Sequence, residues 1–176
     1  MRPSAWVLRW AGLVPFGGDV LDLACGDGRH TRLFLELGCS VVAVDIDLSG
    51  IADLDGHLRL ETLQVDLEDG GAFPLSGRSF AGVVVTNYLH RPLLPDLVSA
   101  VGPGGALIYE TYARGNERFG PPTNPDFMLM PGELLEAVQG RLRVVAYEDL
   151  VEGEPHPSAV QRICAVAPTD ERGMTP

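Results

Sequence analysis

Val20-Leu21-Asp22-Leu23-Ala24-Cys25-Gly26-Asp27-Gly28 is the stretch on which the fold turns. Val20–Ala24 is a compact apolar run interrupted only by Asp22, the length of a strand covered on both faces. Gly26 and Gly28 then punctuate it, and a strand that ends in glycines lets a ligand approach the backbone with no Cβ in the way. Arg29 to Leu37 follows with helical spacing and stops at Gly38. The start of such a helix presents amide N–H groups that its own carbonyls cannot satisfy.

Outward from this unit the pattern repeats. Val41–Ile46 is a second apolar run with Asp45 near its end, Arg59–Leu67 a third, and Phe80–Tyr88 a fourth containing Val83, Val84 and Val85. Pro92 to Val101 reads as a helix with proline in its first turn. Pro103-Gly104-Gly105 turns into Ala106–Tyr112, a fifth strand, and a helix follows over residues 131–138. The last runs, Leu142–Tyr147 and Ala159–Ala167, are joined through Gly153, Pro155 and Pro157 with no helix between, which favours an antiparallel hairpin at a sheet edge. Ser4 is placed to cap an N-terminal helix whose apolar face is Trp6, Val7, Trp10 and Leu13. The expected fold is α/β: a Rossmann-like, doubly wound, mostly parallel seven-stranded sheet with an antiparallel last strand and helices on both faces. A single domain is expected over residues 1–168, with an N-terminal helix within 1–15 and a flexible tail over 169–176. Residues 113–130 lack any period and form a candidate lid loop, with Arg114, Asn116, Glu117 and Arg118 available to reach over a cleft.

Composition narrows the partners. The chain has 176 residues, a net charge of −11, and arginine as its sole fixed cation. A phosphate backbone is repelled at long range by such a surface, so nucleic acid is not expected. Cys25, Cys39 and Cys164 are widely spaced, which gives neither a zinc motif nor a disulfide framework; no metal is expected. The first fifteen residues are broken by Arg9 and fall short of a membrane span, and they lack a signal-peptide cleavage pattern. The expectation is a cytoplasmic protein; the oligomeric state is left open.

Asp45 gives the glycine loop a chemical meaning. It falls 19 residues after Gly26, near the carboxyl end of the second strand, where nucleotide-binding folds place the acid that accepts ribose hydroxyls. A carboxylate there suits an unphosphorylated diol. A dinucleotide fingerprint needs glycine at position 31, and Thr31 stands there. An NAD-dependent oxidoreductase is therefore the weaker reading.

Leu21–Gly28, reading as an acid, then Ala-Cys-Gly-x-Gly after an apolar strand, resembles the first motif of class I S-adenosylmethionine-dependent methyltransferases. Val41–Asp47 is similar to their second motif, Gln64-Val65-Asp66-Leu67 to the third, and Pro103-Gly104-Gly105 to the turn before their fifth strand. Within that family, the Gly26–His30 stretch and residues 86–127 look like the small bacterial types related to tellurite-resistance methyltransferases. The resemblance implies S-adenosylmethionine as cofactor, with the backbone around Ala24, Gly26 and Gly28 holding its methionine part and Asp22 beneath the loop or reaching the ammonium. It further implies Asp45 on the ribose, Ile46 and Leu67 against the adenine, Asp66 on the adenine amino group, and Asn87 and Tyr88 facing the sulfonium.

The resemblance leads to methyl transfer onto a small molecule, with a thiol or metalloid as one candidate. A soft nucleophile needs no general base, whereas an oxygen or nitrogen acceptor can need one. Candidates for catalytic roles are His90 and Tyr88 beyond the fourth strand and Glu110 on the fifth, with Tyr112 on the same face as Glu110 and Tyr109 on the other. His30 reads as a local hydrogen-bonding residue, Cys25 as packing, and His156 as exposed. A non-catalytic S-adenosylmethionine-binding partner protein is the remaining alternative.

Overall fold

The computed structural model describes residues 2–169. Seven strands form one sheet: β1 (Asp19–Leu23), β2 (Ser40–Asp45), β3 (Leu60–Gln64), β4 (Phe80–Thr86), β5 (Val101–Tyr112), β6 (Arg143–Glu152) and β7 (Ser158–Val166). Their order is β3-β2-β1-β4-β5-β7-β6. The first five are parallel, and β7 runs antiparallel to both β5 and β6. This is the doubly wound sheet with a reversed last strand that the apolar runs imply. The expected tail lies mostly outside the described residues.

Alternation along the strands splits the core into two layers. Leu21, Leu23, Val83, Val85, Leu107 and Tyr109 face α3 (Leu94–Ser99) and α4 (Glu133–Val138). Val20, Val41, Val84, Ala106 and Ile108 face α1 (Ala5–Trp10) and α2 (Arg29–Glu36). Side chains two apart share a face, so uninterrupted valine runs supply both layers at once. Ser4 caps α1 as expected, its hydroxyl accepting from the Trp6 and Val7 amides.

Several bounds differ from the sequence reading. The connection from β2 to β3 is a 3-10 turn (Ser49–Leu54) rather than an α-helix, and the segment between β3 and β4 is turns and coil. Gly50 and Gly56 interrupt the first segment and Gly70, Gly71, Pro74 and Gly77 the second, residue types that disfavour a helix interior. The Pro103-Gly104-Gly105 turn lies inside β5: pairing with β4 jumps from Phe80 opposite Val101 to Gly82 opposite Ala106, so the turn is an outward bulge. The final hairpin is longer than its apolar runs. Glu148 and Glu152 extend β6 because Arg162 of β7 pairs with both.

The carboxyl end of β1 is fastened to α2 from below. Asp22, 2 % exposed, accepts a hydrogen bond of 2.6 Å from the Thr31 hydroxyl and another from the Thr31 amide. It thereby caps the first turn of a helix whose own cap position, Gly28, has no side chain to offer. Gly28 sits at φ +70°, and a Cβ there would fall inside the Ile51 side chain.

Burial raises the Asp22 carboxyl to about 6, with the Thr31 bonds opposing the rise. A carboxyl raised in the folded state contributes stability that is full below its unfolded value and lost as pH rises through about 6. Thr31→Val should therefore destabilise most at pH 7 and above, where the buried acid is ionised and has lost a charged hydrogen bond worth roughly 1.5–3 kcal/mol. Near pH 4 the loss should shrink. Urea unfolding of both proteins across pH 4–8 measures this, and a pH-independent difference would refute the Asp22 assignment.

Candidate functional site

The sheet reverses its strand order between β1 and β4, and a cleft of about 400 Å³ opens outside the carboxyl ends of the strands there. Ala24, Asp45, Ile46, Val65, Asp66, Leu67, Glu68 and Tyr88 line it. Six of these were expected from the sequence as site residues, and the fold brings them together from four separate strand ends.

Asp45 grips the glycine loop from the side. One carboxylate oxygen accepts from the Gly26 amide at 2.8 Å and the other from the Asp47 amide at 3.1 Å. Each oxygen keeps a further lone pair for a ligand hydroxyl. The 3-10 turn after β2 leans on the same loop so closely that a Cβ on Gly50 would meet the Gly26 carbonyl oxygen at 2.7 Å. Beyond β3, Asp66 accepts from the Glu68 amide at 2.9 Å, which sets the course of the chain past the cleft.

Among the described residues, two that are not glycine adopt positive φ, Ala24 at 54° and Asn87 at 55°. They end the adjacent strands β1 and β4. Left-handed backbone at such residues costs on the order of 1–2 kcal/mol and gathers where a site demands a particular chain direction. Asn87 is exposed at the cleft rim, its amide donating to the Glu110 carbonyl at 2.9 Å.

The catalytic candidates separate. Tyr88 lines the cleft, and His90 stands next to it with Nδ1 4.0 Å from a Glu68 carboxylate oxygen. Glu110 lies elsewhere. Its carboxylate accepts from the Ser4 hydroxyl at 2.7 Å and pairs with Arg162 at 3.1 Å, so it is committed to holding α1 against the sheet. Tyr109 faces the other side and donates to the Tyr88 carbonyl at 2.8 Å, bracing β4 from within the core.

His30 and Glu68 carry more of the geometry than their sequence context signals. His30 is 2 % exposed; burial lowers its pKa to about 4, and its Nε2 accepts from the Ser4 amide at 3.1 Å. It is a neutral tether for the start of α1. Cys25 is pushed up to about 12 by burial and by Asp22 and Asp45, which makes it an inert thiol. His156 is exposed.

The segment 113–130 is pinned at both ends. Ala113 bridges Leu129, and buried Asn116 bonds the Ala159 amide and the carbonyls of Gly120 and Pro122. Arg91 clamps the far end, bonding both oxygens of Glu133 and the carbonyls of Asp126 and Met128. A lid reaching from this base would have to move its exposed middle alone.

Residues 20–105 match the methyltransferase domain family. The chain is 30% identical over 115 residues to the demethylmenaquinone methyltransferase of Renibacterium salmoninarum, covering 62% of this chain and 46% of that protein. It thus spans less than half the length of the curated relatives it matches. Among solved structures it superposes on TehB from Haemophilus influenzae with a TM-score of 0.73 at 20% identity, over 94% of this chain and 62% of that one. It superposes on the 1,6-didemethyltoxoflavin-N1-methyltransferase of Burkholderia thailandensis with a TM-score of 0.68 at 20% identity, over 93% and 76% of the two chains; that structure holds 1,6-didemethyltoxoflavin and S-adenosylhomocysteine. At such identities the structural likenesses speak to the fold, and it is the family match that identifies residues 20–105, from β1 into β5, as a methyltransferase domain.

Proposed function

We propose that the chain binds S-adenosylmethionine in the cleft at the ends of β1 to β4 and transfers its methyl group to a small acceptor. The observation that carries this reading is the placement of carboxylates. Asp45 and Asp66 line the cleft, and Asp22 is buried beneath its glycine loop. Asp22 occupies the start of α2, where a dinucleotide would set its pyrophosphate, and its charge opposes a phosphate there. A cationic ligand meets attraction from the same groups.

In this reading the backbone of Ala24, Gly26 and Gly28 holds the methionine part, and Asp22 steadies the loop and draws the ammonium. Asp45 accepts the ribose hydroxyls, Ile46 and Leu67 enclose the adenine, and Asp66 accepts from its amino group. Asn87 and Tyr88 face the sulfonium. When bound, S-adenosylmethionine supplies a methyl carbon already activated by positive sulfur. The protein then contributes alignment, exclusion of water and, for an acceptor that must lose a proton, a base. In this reading His90 takes that last role; Glu110 does not, because Arg162 and Ser4 hold it. A thiolate or reduced metalloid would need only the alignment.

Calorimetric titration with S-adenosylmethionine, S-adenosylhomocysteine and NAD tests the reading: micromolar binding of the first two and none of NAD is expected, and binding of NAD alone would overturn it. Asp45→Ala should weaken S-adenosylmethionine binding by roughly 1.5–3 kcal/mol, the scale of hydrogen bonds to a charged group. A folded Asp45→Ala protein with unaltered affinity would sink the ribose assignment. His90→Ala should leave cofactor affinity within about twofold, less than 0.5 kcal/mol, and lower turnover of a proton-bearing acceptor, seen as slower S-adenosylhomocysteine release.

A further inference from the structure

Tyr88 lines the cleft, yet its hydroxyl is shut off from water and makes no hydrogen bond. Buried hydroxyls are nearly always paired, and leaving one unpaired forfeits the hydrogen bonds it makes to water. A hydroxyl kept in that condition at the wall of a cleft is waiting for a ligand's polar atom. Glu68 shares the wall. Its carboxylate is the nearest charge to the Tyr88 hydroxyl and joins burial in pushing the phenol's pKa upward. On its other side Glu68 stands 4.0 Å from Nδ1 of His90.

The three acids of the cleft wall are not equivalent. Asp45 spends its oxygens on the Gly26 and Asp47 amides, and Asp66 spends one on the Glu68 amide. Glu68 holds no backbone amide among the described residues, and its side chain is 46% exposed, open to the cleft mouth. Among the described residues no arginine lines the cleft to offset these charges. An anionic acceptor, whether an oxyanion or a thiolate, would be repelled by all three. A group that is cationic and rich in N–H donors would satisfy both the Tyr88 oxygen and the Glu68 carboxylate.

We infer that Glu68 and the Tyr88 hydroxyl form the acceptor subsite, and that the group they receive is a protonated amine; this rests on the cleft being the S-adenosylmethionine site. Glu68 holds the ammonium by a charged hydrogen bond, and Tyr88 accepts a second N–H. One proton passes from nitrogen to the His90 imidazole and on to water. The nitrogen lone pair then forms the N–C bond to the methyl carbon as the C–S bond breaks. That electron pair stays on sulfur, which leaves as a neutral thioether, and the methylated nitrogen carries the positive charge. Glu68 remains anionic throughout and is the group that holds and steadies the nitrogen.

The inference is tested without knowing the acceptor. Sinefungin carries an amine-bearing carbon in place of the methylated sulfur, so its amine projects toward the acceptor, whereas S-adenosylhomocysteine places nothing there. Glu68→Gln should weaken sinefungin about tenfold, the effect of losing one charged hydrogen bond, and leave S-adenosylhomocysteine within about twofold. Tyr88→Phe should act in the same direction without lowering the melting temperature, since its hydroxyl has no partner to lose. Equal changes for both ligands, or none, in both variants would overturn the acceptor subsite. Failure of the unaltered protein to bind S-adenosylhomocysteine would instead overturn the cofactor reading, and this inference with it.

Discussion

The cleft depends on a carboxylate placed where carboxylates are costly. Asp22 is wholly inside the fold, and burial alone would expel its charge. The Thr31 hydroxyl and amide offset that cost, and what they secure is the junction between β1 and α2. From the next strand, Asp45 takes hold of the Gly26 amide. Two acids on adjacent strands therefore grip one short loop, from beneath and from the side. Such a loop does not have to be ordered when a ligand arrives, so less binding energy is lost to immobilising it. Thr31 shows how one substitution serves two ends: it breaks a dinucleotide fingerprint and supplies the donor that makes a buried acid tolerable.

The second layer of support comes from arginines used as clamps. Arg162 gathers Glu110, Glu148 and Glu152 and lies over the Trp6 ring at 4.9 Å, so β5, β6, β7 and α1 meet at one guanidinium. Arg91 performs the equivalent task on the far side of β4, tying the strap before α4 to the start of α3. Guanidinium forks suit this work because several donors are fixed in one plane. His90 immediately precedes Arg91 in the chain, so the clamp that holds the strap also limits where the imidazole can stand.

How far the sequence could be read follows from which partners are local. The central strands β1, β2 and β4 are legible because both faces are buried and their inner positions are apolar but for Asp22. Edge strand β3 is not, since Glu61, Thr62 and Gln64 face water and blur its ends. The crossover after β2 is a 3-10 turn whose Ile51 packs with Cys25 and Ala43 and closes over Gly28, contacts that no sequence spacing announces. Asp22 and Asp45 stand out beside glycines, but Glu68 looks like one more acid in a chain of charge −11. Its meaning appears only when Tyr88 and His90 arrive from another strand. The same is true of Glu110, whose partner Arg162 is 52 residues away, and of His30, whose partner Ser4 is 26 residues back.

Charge then links this architecture to turnover. Asp45, Asp66 and Glu68 wall the cleft, with Asp22 below; in the proposed reading these charges attract a ligand that carries positive sulfur and release their hold on that centre once the sulfur becomes neutral. In the proposed reaction the positive charge is not lost but moves a bond's length, from sulfur beside the glycine loop to nitrogen beside Glu68. Carboxylates aimed at the point where charge arrives stabilise the transfer more than those aimed at where it began. On that proposal Glu68, exposed and unspent on backbone amides, takes the arriving charge, while Asp22 and Asp45, fastened by Thr31 and Gly26, hold the departing one in register. The proposed reaction thus rests on a division between fixed acids that shape the loop and one unencumbered acid at the rim, the first binding the donor and the second steering its methyl group.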